Sequence, residues 1–400
     1  MKTDLKLSIL TSSDFPYGMA MESFVRQLSL GLYANDVELE VVRLYGDRLN
    51  NINDTSIKCS NYLFNKPFKN EFFKFFEVLS HVLFIPFFVS YRKFFKRDQA
   101  LIMYGLDRAY LVFPVTIFAR LFGLKVFRIN TEVYSPETYA FKWWRKPLIL
   151  FNELQVKYFD RYLDGIIVLS HFLKKLEIEN RVKEQNILLI PHFIDIDTKS
   201  TDNKCYENSR IDRIGYCGNP SIANGILDLI DAFLILQKKR LNEVELIIIG
   251  EITPSIEQEI TKRALKNVIF TGKLSASQVS IELQKCSILV NPRRLGVSAD
   301  SGFPTKIGEY FAAKKTVVAT NVGDLGLYFK DKEELIFAEP NEPISICNAI
   351  EYALQNQDIA LEIAKKGKNW AVNNLDYLNN SKKLIEFILR EKRGKAPLKL

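Results

Sequence analysis

Cysteine is scarce in this chain of 400 residues, and it does not come in pairs. Cys59, Cys205, Cys217, Cys286 and Cys347 are an odd number at unrelated spacings. That excludes a disulfide framework and predicts reduced, mostly buried thiols in a cytoplasmic protein. Histidine is scarcer still, at three residues, which argues against chemistry built on imidazole acids and bases. No apolar run reaches the ~18 residues that a membrane-spanning helix needs. The first residues, MKTDLKLSIL, lack the charged-then-apolar order of a secretory leader. Neither half carries a fixed-period repeat.

What is present is apolar patterning and positive charge. Hydrophobic residues make up 47% of the chain, enough for two cores, and the length predicts two domains. A net charge of +8 favours anionic partners such as nucleotide, nucleic acid or anionic lipid. Strands are predicted over 6–13, 37–44, 100–103, 126–129, 165–169 and 187–190, with helices over 19–33 and 108–122 between them. Residues 197–213 are polar and poorly patterned, and read as a linker. Strands resume at 213–217, 245–249, 267–270, 288–290 and 316–320, with a helix over 225–237. Alternation of this kind means parallel sheets with right-handed crossovers. The predicted organisation is an α/β domain over 1–200, a second over 201–375, and a C-terminal helix with a basic tail over 376–400.

The segment 287–324 carries the chemistry. Ile288-Leu289-Val290 predicts a buried strand and 291–301 a polar loop. Thr305 predicts an N-cap, since its hydroxyl can accept from a free N–H of the first turn. A helix then follows through Ile307, Tyr310 and Phe311. In a doubly wound sheet the strand end and the next helix start form the ligand-binding edge. Here that edge carries Arg293, Arg294, Thr305 and Lys306, with Glu309 one turn into the helix. Cations at a helix N-terminus suit a phosphate or pyrophosphate, because the helix dipole and free N–H groups reinforce them. A carboxylate one turn deeper suits a diol such as a ribose. The plain alternative is an ordinary βαβ unit with solvated charges.

Within that segment, FPTKIGEYFAAKKTVVAT resembles the nucleotide-sugar segment of retaining glycosyltransferases of the GT-B fold, the large family four. The resemblance implies two Rossmann-like, doubly wound parallel-sheet domains with an interdomain cleft. It implies that Glu309 holds the donor ribose, and that the residue eight before it contacts the transferred sugar. That residue is Ser301 where the family has a Glu. Asp300 is a candidate stand-in, with Gly302 and Phe303 beside it. Where the family grasps pyrophosphate with an Arg and a Lys, this chain has Asn219 and Asn224. Either Arg293 and Lys306 supply the charge or the site is impaired, since a neutral amide donates a weaker hydrogen bond than a cation. FPYGMA resembles the family's glycine loop, so Gly18 lies against the donor phosphate or is a plain turn glycine. Gly250 marks a strand end that contacts the nucleobase in the family, or a simple turn. Glu132, in NTEVYSPE, is either a polar group at the reaction centre or a solvated loop carboxylate. His171, at a helix start, reads as a cap rather than a catalyst, and His192 as structural. Asp195 and Asp197 form a D-x-D pair by letter, but the resemblance implies a pyrophosphate neutralised by protein, with no metal and no cofactor.

Residues 66–97 hold clustered Phe with seven Lys/Arg against two Glu. Pro86 predicts two short helices rather than one. Aromatics between basic flanks suit an anionic membrane surface or, more plainly, a core helix pair. Nucleic acid is disfavoured, because these rings sit in an apolar run. The expectation is a metal-independent, hexosyltransferase-like enzyme. It would move a sugar from a nucleoside diphosphate sugar to a glycan or lipid-linked hydroxyl, with retention, in surface polysaccharide or glycolipid assembly. Its expected place is the cytoplasm or the inner membrane face. An epimerase of the same fold and a catalytically silent binding subunit are the alternatives.

Overall fold

The alternation of apolar strands and amphipathic helices resolves into two sheets whose named strand pairs are all parallel. The structure is a computed structural model. It describes residues 4–13, 15, 20–45, 57–63, 71–105, 109–131, 133, 153–196, 211–239, 244–263 and 265–390. The chain divides into two compact units, one of 1–193 with 377–400 and one of 194–376.

The first unit contains β1 (Lys6–Thr11), α1 (Ala20–Ala34), β2 (Glu38–Arg43), β3 (Lys58–Asn61) and α2 (Glu71–Ser90). A π-type turn over Tyr91–Phe95 leads to β4 (Ala100–Tyr104), α3 (Ala109–Phe122) and β5 (Lys125–Asn130). Turns over Gln155–Phe159 and Asp160–Tyr162 precede β6 (Gly165–Val168), α4 (His171–Glu179) and β7 (Ile187–Leu189). The sheet order is β3-β2-β1-β4-β5-β6-β7. Successive residues of β1 serve opposite faces. Ile9 packs with Phe24, Leu28 and Leu32 of α1, while Leu10 joins the core of Ile85 and Val115. That is the pattern of a sheet covered by helices on both sides.

The second unit contains β8 (Asp212–Cys217), α5 (Ile226–Lys239), β9 (Val244–Ile249), α6 (Pro254–Lys262), β10 (Val268–Phe270) and α7 (Ala276–Gln284). Then come β11 (Ile288–Asn291), the short α8 (Val297–Ser301), α9 (Thr305–Ala312), β12 (Thr316–Thr320), α10 (Leu325–Tyr328) and β13 (Ile336–Ala338). Helices α11 (Pro343–Gln355) and α12 (Gln357–Asn374) close it. Its order is β10-β9-β8-β11-β12-β13. The last helix, α13 (Tyr377–Leu389), returns to the first unit. There the Asn35 amide donates to the Leu378 carbonyl at 3.2 Å, and Phe387 meets Phe127 edge-on. The strand order reverses between β1 and β4 and again between β8 and β11. Such a switch point opens a crevice beyond the strand C-termini.

Three local expectations are corrected. Pro86 does not divide the helix: α2 runs unbroken from Glu71 to Ser90. Ile85, Phe88 and Val89 are buried, and burial at roughly 1.5–3 kcal/mol per side chain outweighs the roughly 3 kcal/mol cost of an interior proline. Residues 291–301 are not all loop, because 297–301 close a helical turn. Thr305 is the first helical residue rather than the cap. Pro304 takes the extended cap position, and no side chain caps the helix.

Candidate functional site

The crevice of the second unit is built from the ends of β8 and β11 and the start of α9. Strand β8 ends at Tyr216-Cys217, and the chain leaves through Gly218 at φ +127°, a conformation that favours glycine. A Cβ at Gly218 would overlap the Lys306 side chain, so the glycine makes room for that lysine. The loop closes at Gly225, φ +73°, where a Cβ would overlap the Pro292 carbonyl oxygen. The loop after β8 is thereby pressed against the loop after β11. A Cβ at Gly250, at the end of β9, would likewise overlap the Gly218 carbonyl oxygen.

Lys306 is the centre of this arrangement. Its amine donates to the Tyr216 hydroxyl at 2.7 Å and lies 4.3 Å from that ring's centroid. The same hydroxyl donates to the Asn219 carbonyl at 2.7 Å, and the Asn224 amide donates to that carbonyl at 2.9 Å. Asn224 therefore braces its own loop, and Asn219 holds the loop through its backbone while its side chain is exposed. Burial lowers the Lys306 pKa to about 8, with the Arg293 charge acting in the same direction and Cys217 and Glu309 opposing it. Arg293, Lys306 and Glu309 thus interact electrostatically at one edge, as the sequence placed them. Burial also pushes the Tyr216 phenol well above its usual range, so it stays a neutral hydroxyl.

Arg294 is not part of that electrostatic group. Its guanidinium binds Asp228, in the first turn of α5, through two hydrogen bonds of 2.6 Å. The pair fixes the loop after β11 against α5. Tyr310, one turn beyond Lys306, is fully buried, and its hydroxyl accepts from the Cys217 amide at 2.9 Å. That bond locks α9 to the end of β8.

Asp300 and Ser301 sit on α8, with Ser301 fully buried and Asp300 half-buried. Gly302 ends that turn in an extended conformation. Phe303 is buried against Tyr328 and Trp370, so its ring belongs to the core. Thr305 opens α9 half-buried. Gly18, Glu132 and Asp197 lie outside the described residues. Ser170, not His171, caps α4 by accepting from the Leu173 amide at 3.1 Å. His192 is buried, and its Nδ1 accepts from the Phe193 amide at 2.7 Å, a structural role as read. Cys59, Cys217, Cys286 and Cys347 are buried thiols in no disulfide among the described residues.

Tyr216 and Asp228 escaped the sequence reading. Each left a faint signal: a hydroxyl-bearing ring at a strand end just before a glycine, and an acid in a helix's first turn, where the dipole favours it.

The chain superposes on Anabaena HepE crystallised with UDP at a TM-score of 0.71, with 15% identity, covering 96% of this chain and 99% of that one. It superposes on sucrose-phosphate synthase from Thermosynechococcus elongatus at a TM-score of 0.74, with 15% identity over 96% and 98%. The fold is GT-B. Within this GT-B chain, residues 211–356 match the family model described as glycosyl transferases group 1. An uncharacterized glycosyltransferase of Methanocaldococcus jannaschii is 26% identical over 228 residues, 56% of this chain. The aligned stretch spans 60% of that relative's length. The family match includes β8, β11 and α9, and so covers the crevice around Lys306.

Proposed function

We propose that this GT-B chain is a glycosyltransferase that moves a sugar from a nucleoside diphosphate sugar to a hydroxyl acceptor. The observation that carries the reading is Lys306. Its amine is held by Tyr216 at the sheet's switch point, with Arg293 and Glu309 in electrostatic reach. Two cations and the uncapped start of α9 face the place where a pyrophosphate leaving group develops charge. Preorganised charge at that place stabilises the transition state. Positioning the acceptor hydroxyl contributes the rest. Glu309 is proposed to bind the ribose diol. Asp300 and Ser301 are proposed to lie toward the transferred sugar, with backbone support from Gly302 and Phe303. Gly250 is proposed to lie beside the nucleobase. A uridine nucleotide is the first donor to test, since the Anabaena protein was crystallised with UDP and with UDP-glucose.

The finer reading is transfer of a hexose with retention, without a metal, to a glycan or lipid-linked acceptor in surface polysaccharide or glycolipid assembly. Metal independence is supported by the two protein cations at the edge. The decisive experiment is calorimetric titration with UDP-sugars, followed by product analysis with acceptor lipids. Binding lost on Lys306→Met supports the site, and unchanged binding refutes it. One observation favours a silent binding subunit instead. Asn224, at a position where the resemblance implies a pyrophosphate cation, spends its amide on its own loop. Binding without any transferred or hydrolysed sugar would establish that reading.

A further inference from the structure

The first unit presents a broad apolar face that no described element covers. Its middle is α3, which buries Val112, Val115 and Ala119 and turns Phe113, Ile117 and Leu121 outward. These three lie four residues apart, on one stripe of the helix. On one side, α2 and its π-type turn pack along α3 and expose Leu83, Phe87 and Phe95 at 64%, 69% and 78%. Phe94 meets Phe122 edge-on at 5.8 Å, and Lys93 donates to the Gly123 carbonyl at 2.9 Å. These contacts join the two helical surfaces. On the other side Phe113 touches Phe159 at 4.0 Å between centroids, and Arg120 donates to the Tyr162 carbonyl at 3.2 Å. The face is therefore continuous from α2 across α3 to the turns before β6.

Its charge is predominantly positive, with Glu153 the exposed acid just before the turn at Gln155–Phe159. Arg97 and Lys157 are exposed, and Lys93, Lys96, Arg120 and Arg161 are half-buried around the apolar centre. In the same stretches, 79–97, 109–122 and 155–162, the acidic residue present is Asp160, which is buried against Arg128. Glu40 meets Lys96, but from the neighbouring sheet and largely buried. A second copy of this face would bring cation against cation. A partner that offers both an apolar layer and fixed negative charge fits instead.

We infer that this face docks the first unit on an anionic lipid bilayer, with the α3 stripe and Phe87 and Phe95 entering the interface and the cations meeting lipid headgroups. Burial of exposed aromatic and aliphatic side chains supplies the hydrophobic part. The headgroup charge adds to it within a Debye length. Large exposed apolar patches are uncommon on monomeric soluble proteins, which is why this one calls for an occupant. The inference goes beyond the proposed transferase activity and does not depend on it, since docking involves none of the Lys306 crevice.

Vesicle flotation of the full chain tests it. The protein should float with vesicles of equal parts phosphatidylglycerol and phosphatidylcholine at low salt. Flotation should fall by about tenfold at high salt or with phosphatidylcholine alone, as the electrostatic share is removed. The variant Phe87→Ser/Phe95→Ser/Leu121→Ser should lose flotation while keeping the native melting temperature and UDP-sugar binding, because these side chains are outward. Should that variant not fold, Arg97→Gln/Lys157→Gln should weaken binding to anionic vesicles on its own. Three results would overturn the inference: no flotation at low salt, equal flotation with neutral lipid, or a dimer in solution that the triple variant dissolves. The last would assign the face to self-association.

Discussion

At the residue scale, the account rests on Lys306 being a buried amine waiting for an anion. Its pKa of about 8 in the free protein should rise when a pyrophosphate lies beside it, as an opposite charge favours the charged form. Affinity for a UDP-sugar should then be full below pH 8 and fall as pH rises through 8. Binding should take up protons, which calorimetry at pH 8 in buffers of different ionisation enthalpy would show as a buffer-dependent heat. The pyrophosphate diester does not titrate there, so a flat profile would count against Lys306. Glu309→Gln should weaken UDP-sugar binding by about 1–3 kcal/mol, the range for a hydrogen bond involving a charge. Unchanged affinity would remove Glu309 from the ribose. A third test lies in the first unit. Burial, then the nearby Asp160 charge, pushes the Glu177 carboxyl up to about 8, and the Asn130 amide donates to it at 2.9 Å. A raised folded-state pKa stabilises below the unfolded value and loses that contribution as pH rises through 8. Glu177→Gln should thus change little at pH 5 and raise the melting temperature at pH 8.5. The gain is bounded at roughly 5 kcal/mol, from ~1.4 kcal/mol for each unit between the ordinary 4.5 and about 8.

At the scale of elements, the loops after β8 and β11 hold the site together. Gly225→Ala adds a Cβ onto the Pro292 carbonyl at a positive φ. It should destabilise the second unit by about 2–4 kcal/mol, read as an earlier unfolding transition. A change under 0.5 kcal/mol would mean that the two loops are not pressed together. Much of this layout was legible beforehand. The strand TVVAT was read with the bounds it has, Thr316–Thr320. Arg293, Lys306 and Glu309 could be placed on one edge because strand, loop and helix follow one another along the chain. What escaped depends on partners distant in sequence or on competition between local rules. Arg294 looked like a free cation because Asp228 lies 66 residues away. Tyr216 looked like strand filling because Lys306 lies 90 residues on. Thr305 had the chemistry of a cap, but Pro304 with its fixed φ takes that position. Strand β3 is Lys-Cys-Ser-Asn, mostly polar, and so offered no apolar pattern to read.

At the scale of the whole molecule, the proposed transfer requires the pyrophosphate charge to be met without cations at 219 and 224, which are Asn in this chain. If Arg293 and Lys306 meet it, Asn219→Arg/Asn224→Lys should change turnover by less than about threefold, since added charge would duplicate what is present. A gain of a hundredfold would instead show the native site to be impaired. Excess EDTA should leave transfer unaffected, and activity restored by magnesium would refute the metal-free reading. The most direct test of the central claim is product analysis by mass spectrometry. The chain would be incubated with a panel of isotope-labelled nucleoside diphosphate sugars and a membrane lipid extract. The account predicts labelled sugar on a lipid or glycan hydroxyl with stoichiometric release of nucleoside diphosphate, abolished by Lys306→Met. Binding of a donor with no sugar transferred, or transfer that survives Lys306→Met, would contradict it.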